Sequence, residues 1–183
     1  GLAAGEKLSH TIREDWMAAT GSEIYEAFGM SECSTFISAS PTGQAPEGSL
    51  GYPQPGRRVA IVADGAPVGP GEAGTIAVHR SDPGLMLGYF GAPEASEARF
   101  AGDWFLTGDE GVMDASGAVT YLGRKDDMMN AGGFRVSPLE VEAVLNTHPG
   151  ITQAAVTEIE VKRDARLIMA FYTAPAPLGA QAL

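Results

Sequence analysis

One cysteine and three histidines leave almost nothing from which to build a disulfide or metal framework. Cys33 alone cannot close an internal disulfide, and His10, His79 and His148 are too scattered to resemble a structural zinc site. Cations are scarce as well: 12 Lys and Arg stand against 23 Asp and Glu, for a net charge of −11 at pH 7. No run of Lys or Arg forms a stripe that could follow a phosphate backbone, so nucleic acid is not an expected partner. Long apolar runs are missing too, since a membrane helix needs about 20 such residues in a row and no stretch approaches that. The opening Gly1-Leu2-Ala3-Ala4 lacks the charged and apolar regions of a secretory signal. These absences lead us to expect a soluble, cytoplasmic protein with no transmembrane segment.

What is present can fold. Hydrophobic residues make up 44% of the 183-residue chain and charged residues 19%, which places it among globular rather than disordered sequences. Residues 9–20 set Ile12, Trp16 and Ala19 on one helical face behind a possible Ser9 cap, with Gly21 as a stop. Ser22 to Phe28 reads as a strand, with the GMSEC loop at its carboxyl end, where open α/β sheets place ligands. Between residues 46 and 122 the texture becomes short β-like runs (RVAIVAD, GTIAVHR, DWFLTG, AVTYLG) divided by Gly/Pro turns. PEASEARF interrupts them as a short helix opened by Pro93 and anchored by Phe100. Trp16 and Trp104 are read as core.

A second change of character falls near residue 124. Ser137-Pro138-Leu139-Glu140 is a capping box with proline at the first helical position, followed by Val141, Val144 and Leu145 on an apolar face. His148-Pro149-Gly150 ends that helix, and runs at 151–161 and 166–173 can pair across KRDA. The expected architecture is therefore α/β and α+β: the end of an α/β nucleotide-binding part (1–45), a small β-barrel-like part (46–123), and the start of a small α+β domain (124–183).

Taken singly, Gly-Asp, Gly-Arg and Ser-Glu pairs occur as turns and caps in any glycine-rich domain. Their order carries more. AAGEKL (3–8), YEAFGMSE (25–32), GYFGAPE (88–94), DWFLTGD (103–109) and YLGRKDDMMNAGGFRVSPLEVE (121–142) resemble, in sequence order, the signature segments of the adenylate-forming superfamily of acyl-CoA synthetases, peptide-synthetase adenylation domains and luciferases. The resemblance covers nearly the whole chain, and GRKDD followed by GGFR and SPLEVE is its most specific part.

The resemblance implies an acid–CoA ligase that uses ATP, releases AMP and pyrophosphate, and takes Mg²⁺ and coenzyme A with a small-molecule carboxylic acid. It implies that Phe28 stacks on adenine, Gly29 lets the ligand approach, Ser31 binds phosphate and Glu32 holds the metal, with Gly5 and Glu6 beside the adenine. Phe28 stands where the family commonly has tyrosine. Asp109 would accept hydrogen bonds from the ribose hydroxyls, Arg124 would contact ribose and phosphate, and Arg135 would lie near the nucleotide. Asp126 matches the hinge of the small domain, and Gly132 and Gly133 match a loop lining the pantetheine tunnel.

The residue types suit those jobs: a π face, a backbone without a side chain, a hydroxyl, and a hard oxygen for Mg²⁺. Plainer readings stay open beside them. Phe28 can be core, Ser31-Glu32 a cap, Asp109 the head of a turn, GRKDD a solvated turn, and Gly132-Gly133 a hairpin turn. Cys33 has no histidine placed as its base and reads as a small packed residue; Met128 and Met129 read as gap-fillers. The family's phosphate loop and C-terminal lysine have no counterpart in these residues, so the chain as given is expected to be a truncated, catalytically dead portion of a ligase. Two alternatives stand beside it: an adenylation domain loading an acid onto a carrier protein, which shares every motif, and a non-catalytic nucleotide-binding module, against which Glu32, Asp109, Arg124 and Arg135 together argue.

Overall fold

The computed structural model describes residues 1–5, 8, 10–40, 45–131, 134–162 and 165–178. The chain separates into two compact units, the first running from Gly1 to Tyr121 and the second beginning at Leu122.

The first unit holds two sheets. One comprises β1 (Leu2–Ala4), β2 (Tyr25–Met30), β3 (Ser34–Ser38) and β4 (Tyr52–Pro53), in that order. β1 and β2 are parallel, joined through helix α1 (His10–Thr20), and the other pairs are antiparallel. α1 stops where the sequence suggests, since Gly21 takes φ +66° and its N–H donates to the Met17 carbonyl at 2.9 Å. Its periodicity is not answered by burial: Ile12 and Met17 are exposed and Trp16 is 38% exposed, so Trp16 is not core in this chain. The β2 strand also starts three residues later than the expected Ser22 and runs on through Gly29 and Met30, so only Ser31–Cys33 form the turn into β3.

The second sheet contains β5 (Val59–Ala63), β6 (Ala66–Pro67), β7 (Ala73–His79), β8 (Phe100–Ala101), β9 (Trp104–Met113) and β10 (Val119–Arg124). Its order is β10-β9-β7-β5-β6, with β8 on β9, and it forms the barrel-like part. The four β-like runs of the sequence supply β5, β7, β9 and β10. Helix α2 (Pro93–Glu97) precedes β8, and Phe100 anchors it edge-on against Phe105 at 5.5 Å between centroids. Phe36, Ile37, Ile76, Val78, Phe105 and Val119 form one apolar cluster between the sheets, closed by Cys33. Trp104 is only half-buried, against His79.

The second unit, from Leu122, contains a 3-10 turn at Lys125–Asp127, the short hairpin β11 (Met129–Ala131) and β12 (Phe134–Val136), helix α3 (Pro138–Leu145), and the hairpin β13 (Gln153–Lys162) and β14 (Ala165–Thr173). Ser137 caps α3: its Oγ accepts from the Glu140 N–H at 3.4 Å and donates to the Leu122 carbonyl. Glu142 Oε1 accepts the Val156 N–H at 2.8 Å, fastening α3 to β13. Met129 is buried, as a gap-filler should be, whereas Val144 on the expected apolar face is 70% exposed. Among the described residues no helix is long and apolar enough to cross a membrane.

Candidate active site

The strand pairing of β2 and β3 sets the first group of site residues. Phe28 is half-buried, edge-on to Phe36 with centroids 5.5 Å apart and tilted 43° to Tyr121 at 5.6 Å. Its ring therefore packs on the core, as the plainer reading allows, while part of it stays accessible. Gly29 has a packing reason of its own, because a Cβ there would stand 2.3 Å from the Ser34 carbonyl oxygen. Ser31 is exposed and Glu32 half-buried in the turn that follows. A strand, not a helix, comes next, so the pair caps no helix.

Glu32 is held by contacts remote in sequence. The Tyr89 hydroxyl donates to Glu32 Oε1 at 2.8 Å, and the Met86 N–H donates to the Glu32 carbonyl at 2.7 Å. The hydrogen bond to Glu32 and partial burial raise the Tyr89 phenol above its ordinary pKa. On the far side of the turn, Arg57 donates to the Cys33 carbonyl at 2.5 Å and the Thr35 carbonyl at 2.6 Å, and pairs with Asp82 at 2.9 Å. Burial pushes the Cys33 thiol up to about 12, so this cysteine is a packed thiol and not a nucleophile.

Asp109 departs from expectation. It does not follow the end of a strand but sits inside the ten-residue β9, where the register with β7 shifts and Gly108 takes φ +84°. The bulge turns Asp109 inward, where it is buried. Its N–H donates to Thr107 Oγ1 at 3.1 Å, and that hydroxyl donates to the Ile76 carbonyl at 2.7 Å. The Tyr121 hydroxyl donates to Asp109 Oδ1 at 3.4 Å, so Tyr121 links Asp109 to Phe28. Next to it, buried Glu110 accepts from Thr75 Oγ1 at 2.7 Å.

In the second unit Arg124, Asp126 and Arg135 are all exposed. Asp126 lies in the 3-10 turn, and Arg135 reaches back to it, donating to the Lys125 carbonyl at 3.4 Å. By geometry alone this is a solvated charged turn. Gly5 takes φ +103° just after β1. Glu6, Gly132 and Gly133 lie outside the described residues.

Among the described residues, no three His, Cys, Asp or Glu side chains gather into a preformed metal cage. The Glu32 carboxylate nonetheless fits magnesium, which is usually held by one or two carboxylates together with water and substrate phosphates. Sequence reasoning missed Tyr121, Tyr89, Arg57 and Asp82. Tyr121 and Tyr89 stand inside quoted motifs but lack a signature that marks them; Arg57 and Asp82 lie in none.

Residues 1–90 match the AMP-binding enzyme family. Over 161 residues, 85% of the chain, the sequence is 39% identical to the human mitochondrial acyl-coenzyme A synthetase ACSM5, of which that covers 28%. It is 34% identical to the long-chain-fatty-acid–CoA ligase of Salmonella typhimurium over 157 residues, 85% of the chain and 28% of that ligase. Among solved structures, the Bacillus subtilis O-succinylbenzoate coenzyme A synthetase with ATP and magnesium ion superposes with a TM-score of 0.80 at 31% identity, covering 98% of this chain and 37% of that one. The anthranilate CoA ligase AuaEII in complex with anthranoyl-AMP gives 0.81 at 33% identity, covering 99% and 35%. The chain thus spans less than a third of the length of the two sequence relatives.

Proposed function

Because this chain belongs to the adenylate-forming superfamily of AMP-binding enzymes, we propose that it is part of an acid–CoA ligase acting on a small carboxylic acid. The observation that carries the reading is the meeting of Phe28, Tyr121 and Asp109, which brings residues of three separate motifs to one place. Such convergence supports a built site, because folding alone does not require that an aromatic face and a buried carboxylate share a tyrosine.

The proposed reaction has two halves. A carboxylate oxygen of the acid attacks the α-phosphorus of ATP, and the bond from that phosphorus to the bridging oxygen breaks to release pyrophosphate. The CoA sulfur then attacks the acyl carbonyl, its proton passes to solvent, and AMP leaves. Positioning and charge neutralisation dominate the first half. Phe28 offers its accessible part to the adenine, and Asp109 accepts from the ribose hydroxyls. Ser31 donates to phosphate, and Glu32 holds magnesium, which when bound neutralises charge on the triphosphate. Gly5 and Glu6 flank the adenine. By the resemblance, Arg124 and Arg135 contact the nucleotide and Asp126 is the hinge residue, with Gly132 and Gly133 beside the pantetheine arm. Homologues named as fatty-acid and aryl-acid ligases leave both acid classes for the test.

Substitution in the gene-length protein tests the roles. Glu32→Gln should lower acid-dependent AMP formation by about 10²–10³-fold, the usual loss when a main electrostatic contact is removed. Asp109→Asn should raise the KM for ATP by about 10–100-fold, since a charge-assisted hydrogen bond contributes about 1.5–3 kcal/mol. Unchanged kinetics in both variants would remove the assigned site.

A further inference from the structure

We propose that Tyr89 and the Arg57–Asp82 ion pair form a two-sided frame that fixes the direction of the Glu32 carboxylate, Tyr89 acting on the side chain and the ion pair on the backbone that carries it. The proposal rests on the reading of Glu32 as the metal-holding carboxylate. It adds residues that act through Glu32 and do not themselves touch the nucleotide.

Glu32 sits in the middle of the three-residue turn Ser31–Cys33, beside an exposed serine. A glutamate on such a turn has several rotamers to choose from, and ordering it costs entropy unless something holds it beforehand. Both halves of the frame hold it. Arg57 donates through Nη2 to the Cys33 carbonyl at 2.5 Å and through Nη1 to the Thr35 carbonyl at 2.6 Å, gripping the chain just after Glu32. Its Nε donates to Asp82 Oδ1 at 2.9 Å. The two side chains are 10% and 0% exposed, so this is a buried pair and not a solvated one. Asp82 is in turn fixed by the Arg58 N–H on Oδ2 at 2.6 Å and the Gly84 N–H on Oδ1 at 2.8 Å. The grip on the turn is thus tied by fork geometry to two other loops.

Tyr89 completes the frame at the side chain. Its hydroxyl donates to Glu32 Oε1 at 2.8 Å, while its backbone N–H donates to the buried Ser96 Oγ at 2.8 Å, and Ser96 Oγ donates to the Ala92 carbonyl at 3.0 Å. The backbone that carries the phenol is therefore held by its own loop independently of Glu32. Leu87 and Phe90 on either side are fully exposed, so the loop is a surface strap and the inward turn of Tyr89 adds little core. A donor committed to one carboxylate oxygen orients the other, which is what a carboxylate serving a cation through a single oxygen needs. Removing hydrogen-bonded partners of metal-holding carboxylates typically costs about 10–100-fold in metal affinity or activity.

The test uses the gene-length protein with Mn²⁺ as probe, its binding to the ATP complex followed by the electron paramagnetic resonance of the free ion. Tyr89→Phe should weaken Mn²⁺ by about 10–100-fold and leave ATP affinity in chelator and the thermal midpoint almost unchanged, which a merely structural residue would not do. In a Glu32→Gln background the same substitution should have no further effect. Asp82→Asn should weaken Mn²⁺ in the same direction, and Tyr89→Phe decides the matter if that buried variant folds poorly. Full Mn²⁺ affinity in Tyr89→Phe, with affinity lost in Glu32→Gln, would overturn the frame alone. Full affinity in Glu32→Gln would overturn the role of Glu32 and the frame with it.

Discussion

Cys33 shows how a residue's surroundings decide its chemistry. It adjoins Glu32, yet it is fully buried in the apolar cluster, and burial pushes its thiol up to about 12. Because the folded pKa is raised above the ordinary value, burial of the neutral thiol contributes stability that is fully present below the ordinary pKa, about 8.5. That contribution is lost as pH rises toward about 12. Iodoacetamide at pH 8 should therefore leave Cys33 unmodified in the folded protein and label it fully in denaturant, as mass spectrometry would read; stoichiometric labelling of the folded chain would contradict this. The resemblance of the short ordered motifs YEAFGMSE and DWFLTGD to those of the family pointed to Glu32 and Asp109. Their partners were not legible. Tyr89 lies 57 residues from Glu32, and Arg57 and Asp82 are 25 residues apart. No local pattern announces contacts of that range, and only the pairing of strands and loops creates them.

Elements were read best where the cue is local backbone chemistry. The capping box at Ser137 and the proline after it open α3 as expected, and the strand runs of 46–122 appear as β5, β7, β9 and β10. Ser137→Ala should cost about 0.5–2 kcal/mol from the lost cap, and the lost bond to the Leu122 carbonyl adds to it. Ser137→Asp keeps the cap acceptor and should recover part of the loss. Urea denaturation followed by circular dichroism measures both, and a Ser137→Ala variant as stable as the unaltered chain would show that the cap does not hold α3. Elements were read worst where the cue concerns what covers a face. The period of α1 gives Ile12 and Trp16 an apolar side, but periodicity says nothing of a partner, and both side chains are exposed. In β9 the Gly108-Asp109 pair looked like a strand end because glycine before aspartate usually marks a turn. Gly108 instead supplies the positive φ of a bulge that lets the strand continue and turns Asp109 inward.

At the scale of the whole molecule, the two units divide the proposed labour. The first, Gly1–Tyr121, holds the Phe28–Tyr121–Asp109 group and the framed Glu32; the second, from Leu122, holds Arg124, Asp126 and Arg135. The sequence changes character near residue 124, and the chain divides into its two units between Tyr121 and Leu122. The identity of the acid was not readable, since only the 25–30 region of this chain resembles a part of the family that reaches the acyl pocket. The most direct measurement is AMP release by the gene-length protein over a panel of fatty and aryl acids, with and without coenzyme A. AMP that depends on both the acid and coenzyme A is the result expected of an acid–CoA ligase; no AMP with any acid, or acid-dependent pyrophosphate exchange without any coenzyme A-dependent turnover, would contradict it.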